Sequence, residues 1–398
     1  MCSVGDDGDR HMPSNVFVQY YDTKCQKCKL ETPIVLLRRK DSYCKDCFLS
    51  GTNHKFKSLL GKSKLLRPKD RVLVSYEVGH PSTALLHLIR SGLDLNTPKK
   101  LRFEPVFVFL EDQYHLTKDE RSQMITRAIA EAEKLKFKMH LVSFAESIMK
   151  DDVTIYLNHL NLNDNDGDAI NNKFATKINN TNKKEVSNIL RRNILLSIAK
   201  KLSCKFIFTP ELSVDIAANL LTNISLGRGS QVPVDTGFCD DRDKDVKILR
   251  PLRSFDKKEV ALYNVLHVLE PVTVRQTQDN QYASIQALAK QFINELNENY
   301  PATVATVVKT GDKLALDENK VAGNCKLCKG NILKPTEDLT SDESTSFSKL
   351  VSNELPDHSI SSQERYEKVE GQFEHKAQVD NEYCFSCSKI SRFLLSDT

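Results

Sequence analysis

Four pairs of cysteines with C-x-x-C spacing are the residues of this sequence best suited to chemistry, because thiolates bind soft metal ions. They account for eight of the 11 cysteines. The pairs are Cys25 and Cys28, Cys44 and Cys47, Cys325 and Cys328, and Cys384 and Cys387. In each pair both sulfurs can face one ion, and two pairs complete a tetrahedron. The spacing therefore predicts two structural zinc sites, one towards each end of the chain. Gly330, two positions after Cys328, is predicted to allow the tight turn of its knuckle.

The size of the chain and its N-terminal pattern favour metal binding over disulfides, which are typical of small secreted proteins. The 398 residues show no basic-then-apolar start and no run of about 18 apolar residues. We therefore expect a cytoplasmic protein without a membrane segment. Outside the pairs, Cys204 at the start of a strand is predicted to be a core thiol, and Cys239 lies in a polar loop.

Positive charge is concentrated near the first cysteine set, although the whole chain carries only +4. Between Lys24 and Arg71 there are 14 Lys and Arg residues against four Asp and Glu residues. Such a segment is typical of nucleic-acid-binding surfaces, although it can also be a solvated face without a partner. The candidates for contacts with the phosphates of a nucleic acid are Lys24, Lys27, Lys29, Arg38, Arg39, Lys40 and Lys45.

The stretch from Arg71 to Gly92 has the pattern of a strand, a short turn and a helix. A turn in this position can bind phosphate through its backbone amides and the helix N-terminus. Here it has a single glycine, Gly79, and Pro81 lacks an amide donor. Two interpretations stay open at this point, a working nucleotide site and the remnant of one.

Strand and helix patterns alternate through the middle of the chain. Strands are predicted at 72–77, 104–110, 140–144 and 205–209, and helices at 82–91, 118–135, 186–202 and 212–225. Thr117 and Glu120 have the spacing of a capping box at the start of the second helix. Because the strands are separated by helices, the pattern predicts an α/β fold with a doubly wound parallel sheet.

The chain divides into four predicted segments. These are an N-terminal zinc-ribbon segment at 1–66, the α/β domain at 67–270, a helical connection at 271–322 and a C-terminal zinc ribbon at 323–398. Two low-complexity stretches interrupt this plan. The Asn-rich insertion 158–183 is predicted to be a mobile loop, and the Ser-, Glu- and Asp-rich insertion 336–378 is predicted to be disordered.

Zinc knuckles on both sides of a phosphate-loop α/β domain resemble the layout of tRNA-thiolating enzymes of the PP-loop ATPase superfamily. Nearly the whole chain, without the two insertions, resembles the cytoplasmic tRNA 2-thiolation protein 2 family, the non-catalytic partner in wobble-uridine thiolation. The stretches that carry the resemblance are VGHPSTALLHLI, LRRNILLSIAKKLSCKFIFTPELSVDIAANLLTNISLGRG and ILRPLRSFDKKEVALY. The resemblance implies a PP-loop fold, like that of the adenine nucleotide alpha-hydrolases, between two zinc ribbons.

The phosphate loop departs from the pattern of active superfamily members. Those members carry S-G-G-x-D-S, where this chain has residues 78–83. Gly79 is retained and Thr83 keeps a hydroxyl. However, His80 replaces the second glycine, and its side chain would occupy space that a pyrophosphate needs. Ser82 replaces the aspartate, which removes a carboxylate from the loop.

Two further motifs also lack residues that active superfamily members use. In the T-G-H-N-x-D-D motif of active members, only Thr209 and Asp215 match. The three cysteines that hold an iron–sulfur cluster or carry sulfur in the resembled enzymes fall on Lys184, Ser187 and Leu249. These side chains cannot act as thiolate ligands or nucleophiles. The vestigial nucleotide site is therefore predicted to comprise Gly79, Ser82, Thr83 and Asp215, with no catalytic residue.

The resemblance implies a pseudoenzyme subunit that forms a heterodimer with a catalytic paralogue. The paralogue would bind ATP and magnesium and thiolate the wobble uridine of tRNA(Lys), tRNA(Glu) and tRNA(Gln), with sulfur from a thiocarboxylated ubiquitin-like carrier. Two alternatives stay open. The chain could itself be an ATP-dependent tRNA sulfurtransferase, in which Ser82, Thr83 and Asp215 bind nucleotide and magnesium and Cys239 carries sulfur. It could also be a zinc-ribbon RNA-binding scaffold.

Overall fold

The computed structural model divides the chain into two compact units, Met1–His54 and Lys55–Thr398. The residues that it describes are 24–38, 41–95, 100–157, 159–173, 179–274, 281–314, 319, 321–334, 344–346, 348–349, 361, 363 and 382–394. Cys2, Arg39, Lys40 and most of the predicted insertion 336–378 lie outside these residues. Within the described part of the chain, none of the helices combines the length and the hydropathy that a membrane span requires.

The first unit contains a short hairpin and the start of a helix. Strands β1 (Val35–Leu37) and β2 (Asp41–Tyr43) pair antiparallel. Helix α1 (Lys45–Ser63) begins in this unit and continues into the second. Val35 and Phe48 are buried here, together with Cys25 and Cys44. Because a hairpin and part of one helix bury little apolar surface, a metal ion is the interaction best able to stabilise this unit.

A seven-stranded sheet forms the core of the second unit, with the strand order β6-β5-β4-β3-β7-β9-β8. Its strands are β3 (Arg71–Tyr76), β4 (Glu104–Glu111), β5 (Met139–Ser143), β6 (Tyr156–Leu157), β7 (Phe206–Phe208), β8 (Cys239–Asp240) and β9 (Lys247–Leu249). All pairings are parallel except those of the two edge strands, β6 and β8. In β3, Val72, Leu73 and Val74 are all buried, as expected of a strand covered on both faces. The predicted parallel sheet is confirmed.

Helices flank this sheet and connect its strands. They are α2 (His80–Leu93), α3 (Lys118–Lys134), α4 (Phe144–Lys150), α5 (Asp166–Lys173), α6 (Asn180–Lys201), α7 (Ser213–Ser225), α8 (Val232–Thr236) and α9 (Lys257–Leu266). The predicted capping box of α3 is confirmed, because the Thr117 hydroxyl accepts from the Glu120 N–H at 3.3 Å and the Glu120 carboxylate accepts from the Thr117 N–H at 3.0 Å.

The remaining elements follow the α/β region. Helices α10 (Ile285–Asn299) and α11 (Pro301–Gly311) occupy the segment predicted to be a helical connection, and both contact α7. Strands β10 (Val321–Asn324) and β11 (Asn331–Leu333) form an antiparallel hairpin, and α12 (Phe385–Leu394) follows Cys384. The hairpin and α12 bring the second cysteine set together.

The Asn-rich insertion is not the loop that its composition suggested. Helix α5 and the first turns of α6 lie within residues 158–183, and Ile170 is buried in the main core. The physical reason is Arg121, which is only 1 % exposed and binds Asp166 of α5 at 2.8 Å. The Arg121 guanidinium also donates two hydrogen bonds to Glu111 at the end of β4, at 3.0 and 2.6 Å. The prediction of a mobile loop is therefore wrong for this part of the insertion.

The strand order places a crevice at one edge of the sheet. The chain moves from β3 to β4 and β5 on one side, and later returns to β7 and β9 on the other side of β3. Crossovers therefore leave β3 and β7 in opposite directions, which opens a crevice at the carboxyl ends of these two strands. The turn after β3, which contains Gly79, lies at this edge.

Replacing Arg121 by methionine should lower the free energy of unfolding by about 3–5 kcal/mol, because it leaves the buried carboxylates of Glu111 and Asp166 without their cation. Urea denaturation followed by circular dichroism would measure the change. Lys200→Met is the matched control, since Lys200 pairs with Asp243 at the surface, at 2.7 Å, and its loss should cost less than about 1 kcal/mol. Equal decreases in the free energy of unfolding of the two variants would contradict the importance of the buried network.

Candidate functional site

The first cysteine set forms a four-sulfur cluster. The Sγ atoms of Cys25, Cys28, Cys44 and Cys47 all lie within 4.8 Å of one another, and those of Cys28 and Cys44 are 3.9 Å apart. Tetrahedral zinc with Zn–S bonds of about 2.3 Å requires sulfurs separated by about 3.8 Å. The geometry and the all-thiolate donor set therefore fit a structural zinc ion.

Two different local structures supply these four sulfurs. The first knuckle is a turn closed by the Lys29 N–H, which donates to the Cys25 carbonyl at 2.8 Å. Lys29 adopts the left-handed conformation, with φ 57°, which lets the chain reverse around the ion. The second knuckle lies at the start of α1, where the Phe48 N–H donates to the Cys44 carbonyl at 3.0 Å.

The second cysteine set has the same plan and is more deeply buried. The sulfurs of Cys325, Cys328, Cys384 and Cys387 lie within 4.8 Å of one another, and all four residues are buried. The first two come from the β10–β11 turn and the other two from the start of α12. The Cys328 and Cys384 sulfurs are 3.8 Å apart, and the Gly330 N–H donates to the Cys328 sulfur at 3.4 Å. This set also fits zinc.

The structure corrects the reason for Gly330 in this second set. The sequence suggests that Gly330 allows the tight turn of the knuckle, but Lys329 takes the left-handed conformation, with φ 59°. A β-carbon at position 330 would instead lie 2.0 Å from Oε1 of Gln231. Gly330 therefore leaves room for the end of the Gln231 side chain, which comes from another part of the chain.

The basic residues near the first set are exposed where they are described. Lys24, Lys27, Lys29, Arg38 and Lys45 all point into solvent, whereas the structure does not describe Arg39 and Lys40. Exposed cations on one small unit provide a surface that can contact phosphates.

A cavity of about 780 Å³ occupies the crevice at the carboxyl ends of β3 and β7. Gly79, Ser82 and Asp215 line it, so three of the four predicted nucleotide-site residues come together. Thr83 is 2 % exposed and is not among the lining residues. The Thr83 side chain faces the hydrogen-bonded pair of Tyr76 and Glu131 beneath the loop.

Internal hydrogen bonds already occupy the polar groups of the loop. Gly79 has φ 131°, a conformation that essentially only glycine adopts, so the phosphate-loop backbone is retained. However, the Ser82 hydroxyl accepts a hydrogen bond from the Glu77 N–H at 2.8 Å. The Asp215 carboxylate accepts from the Leu212 N–H at 3.0 Å, which caps α7. The hydroxyl and the carboxylate that could hold a nucleotide and magnesium therefore serve the fold.

Ion pairs connect the ends of neighbouring strands across the mouth of the cavity. Arg191 of α6 binds Glu77 after β3 at 3.0 Å and also binds Asp112 after β4. Arg250 after β9 binds Glu211 after β7 at 2.8 Å. Each arginine thus joins side chains from two strand ends, and the carboxylates neutralise the cations that a phosphate would use.

A second group of ion pairs lies deeper in the cavity. Arg192 and Arg242 both bind Asp240, each at 2.9 Å through Nε. Although burial alone would raise the pKa of Asp240, hydrogen bonds and charge from Arg242 and Arg192 hold it well below its ordinary value. Arg228 binds Glu185 at 2.5 Å and Asp235 at 3.2 Å. Three arginines and three carboxylates therefore form a neutral network.

The residues that match the lost cysteines do not form a ligand set. Leu249 in β9 is fully buried in the core. Lys184 and Ser187 lie on α6, and the residues of this helix that line the cavity include Glu185 and Asn188 instead. Iron–sulfur clusters need thiolate ligands, so these positions do not fit a cluster.

The two cysteines described outside the metal sets differ in burial. Cys204 is buried beside β7, and burial raises the pKa of its thiol, in agreement with the predicted core role. Cys239 is partly exposed in β8, and burial of its sulfur, with Asp241 nearby, raises the pKa of this thiol too. A raised pKa lowers the fraction of reactive thiolate at neutral pH.

Analysis of the sequence missed the buried ion-pair network. Arg191 and Arg192 stand out as an arginine pair, but their acidic partners are scattered along the chain. Arg192 and Asp240 are 48 positions apart, and Arg228 and Glu185 are 43 positions apart. No periodic pattern marks such partners, because the turns of the fold bring them together.

The purified chain should hold two zinc ions. Cys28→Ser and Cys328→Ser should each lose one ion, because three thiolates no longer complete the tetrahedron. Cys204→Ser is the control and should keep both ions. Native mass spectrometry with elemental analysis would count the metal in each variant. Equal zinc content in Cys328→Ser and Cys204→Ser would rule out the second site.

The chain is similar to known proteins over most of its length. A family model described as Cytoplasmic tRNA 2-thiolation protein 2 matches residues 284–389. A relative with this name from Drosophila pseudoobscura pseudoobscura is 31 % identical, over 82 % of this chain and 84 % of the relative. The Xenopus laevis protein Cytoplasmic tRNA 2-thiolation protein 2-A is 28 % identical, over 83 % and 77 %. The predicted cytoplasmic location agrees with these names.

One solved structure confirms the predicted fold. The U34-tRNA thiolase NcsA from Methanococcus maripaludis, solved with its [4Fe-4S] cluster, aligns with 77 % of this chain and 95 % of its own, with a TM-score of 0.57. At 19 % sequence identity this likeness concerns the fold alone. Together with the identity to its relatives, these findings show that the chain belongs to the cytoplasmic tRNA 2-thiolation protein 2 family.

Proposed function

We propose that this chain is a non-catalytic subunit of the complex that 2-thiolates the wobble uridine of tRNA(Lys), tRNA(Glu) and tRNA(Gln). Its partner is a catalytic PP-loop paralogue, which binds ATP and magnesium and receives sulfur from a thiocarboxylated ubiquitin-like carrier. Family membership supports the role in thiolation. The single observation that carries the non-catalytic assignment is that the arginines of the crevice are paired with carboxylates of the same chain.

The groups that could serve the nucleotide half of the reaction already make bonds within this chain. Ser82 accepts from the Glu77 amide, and Asp215 caps α7. Asn264 donates a hydrogen bond to the His80 carbonyl at 2.9 Å, which fixes the turn from its outer side. A nucleotide would have to break these bonds or the Arg191 and Arg250 ion pairs before it gained its own contacts. We therefore assign ATP and magnesium to the partner.

The sulfur half of the reaction lacks a suitable thiol. Lys184, Ser187 and Leu249 replace the cluster ligands of the resembled enzymes. Cys239 is the remaining candidate of the rival sulfurtransferase hypothesis. Its thiol has a raised pKa, and it is not among the residues that line the cavity. A sulfur carrier needs a thiolate at the reacting centre, so Cys239 is a poor nucleophile for this role.

The two zinc ribbons have a structural role in this proposal. Cys25, Cys28, Cys44, Cys47 and the four cysteines of the second set would hold zinc with no open coordination position. Zinc in such closed sites contributes folding free energy rather than catalysis. The first ribbon presents the exposed cations around Lys27 and Lys29. We assign these cations to the phosphate backbone of tRNA, where charge positions the substrate without reading its sequence.

Formation of 2-thiouridine on unmodified tRNA tests this proposal. We expect no product from the purified chain with ATP and a sulfur donor, because its nucleotide-binding groups are engaged within the fold and it lacks a suitable thiol for sulfur transfer. We expect the catalytic paralogue together with this chain to form more product than the paralogue alone. Mass spectrometry of nucleosides after tRNA digestion would measure the yield.

Two controls make this measurement decisive. The variant Cys239→Ser should support the paralogue as well as the wild-type chain does. Thiolation by the chain alone, abolished by Cys239→Ser, would replace the proposal with the sulfurtransferase hypothesis. If the paralogue gains nothing from the chain although the chain binds tRNA, the chain is an RNA-binding scaffold instead.

A further inference from the structure

The segment Gly227–Gln231, called the clamp below, lies between the second zinc ribbon and the crevice. It follows α7, and its sequence is GRGSQ. Gly227 has φ 70°, and a β-carbon there would lie 2.8 Å from the ring of Phe385, the first residue of α12. The clamp therefore packs directly against the helix that carries Cys387.

The other end of the clamp binds the β10–β11 hairpin. The Gln231 side chain donates to the Asn331 carbonyl at 2.7 Å and accepts from the Asn331 N–H at 3.1 Å. The amide side chain thus forms the pair of hydrogen bonds that a neighbouring strand would form. The absence of a side chain at Gly330 makes this approach possible. Both halves of the second cysteine set are consequently held by one short segment.

Arg228, in the middle of the clamp, faces the crevice. It is 7 % exposed, and it donates to Glu185 at 2.5 Å and to Asp235 at 3.2 Å. Its Nε–H group is buried and has no hydrogen-bond partner among the described residues. Cys328 lines the same cavity as Arg228, so the metal site and the ion-pair network adjoin each other.

Carboxylates hold Arg228 and its neighbour Arg242 in place. Burial alone would lower the pKa of Arg228, but the carboxylates of Asp235 and Glu185 raise it above its ordinary value. The Arg242 guanidinium binds Asp235 and Asp240, each at 2.6 Å. Both guanidinium groups line the same cavity as Cys328.

We propose that Arg228 is a positioning residue shared by the second metal site and the crevice. Its ion pairs with Glu185 and Asp235 hold the clamp in place at the crevice. The clamp in turn contacts both halves of the second cysteine set, through Phe385 and through Asn331. Loss of Arg228 should therefore loosen the second zinc ion, while the first zinc ion remains as it was. This inference does not depend on the proposed role in thiolation.

The test compares the full-length Arg228→Gln variant with the wild-type chain. Zinc release is followed with an excess of a chromophoric chelator. An alkylating reagent labels the cysteines that lose zinc, and mass spectrometry locates the labelled positions. We expect about tenfold faster alkylation of Cys325, Cys328, Cys384 and Cys387, the size of effect that partners of metal ligands commonly have. The first set should react at the wild-type rate. Arg228→Lys keeps the positive charge but loses the several N–H donors of the guanidinium group. The alkylation rate of its second set should therefore lie between those of the wild-type chain and Arg228→Gln.

Arg253→Gln is the matched control. Arg253 is also buried, pairs with Asp312 at 2.6 Å and has a buried Nε–H without a partner among the described residues. Its loss should lower stability without selective exposure of the second set. Equal acceleration in Arg253→Gln and Arg228→Gln, or equal acceleration at both cysteine sets, would overturn the proposal. If Arg228→Gln fails to fold, a wild-type release rate in Arg228→Lys and in Gln231→Ala would overturn it as well.

Discussion

Buried ion pairs between arginines and carboxylates determine what the crevice of this protein can do. In an open α/β sheet, the carboxyl ends of the strands at the switch point form the usual ligand site. Here Arg191, Arg192, Arg228, Arg242 and Arg250 all reach into that space and all bind carboxylates there. Removal of one partner from a fully buried pair, such as Arg228 and Glu185, costs about 3–5 kcal/mol. The network therefore resists the rearrangement that a phosphate ligand would require.

In the proposed non-catalytic role, this network lets the fold persist without the chemistry of the superfamily. Gly79 has a backbone conformation that favours glycine, and the strands beneath the turn are buried. The Ser82 hydroxyl and the Asp215 carboxylate each bind a backbone amide of the fold. Under this proposal, the fold serves to present surfaces to tRNA and to a partner.

Features with a local or periodic signature could be predicted from the sequence. The strand predicted at 72–77 begins with the apolar run Val72, Leu73 and Val74. The α3 cap needs only Thr117 and Glu120, and the two zinc ribbons follow from cysteine spacing alone. The prediction of a mobile loop for the Asn-rich insertion failed because the composition is that of a loop, while the structure depends on one distant partner, Arg121. The role of Gly330 could not be predicted because its neighbour Gln231 is about a hundred positions away in the chain.

Calorimetric titration of the purified full-length chain with magnesium ATP tests the central claim most directly. If internal ion pairs and hydrogen bonds engage the charged groups of the nucleotide site, no saturable binding should appear up to millimolar ATP, while a catalytic PP-loop enzyme measured in parallel binds. Saturable binding of one ATP per chain, lost on changing Gly79→Val, would show that the loop still holds a nucleotide. The account of a crevice whose charged groups are paired internally would then be wrong.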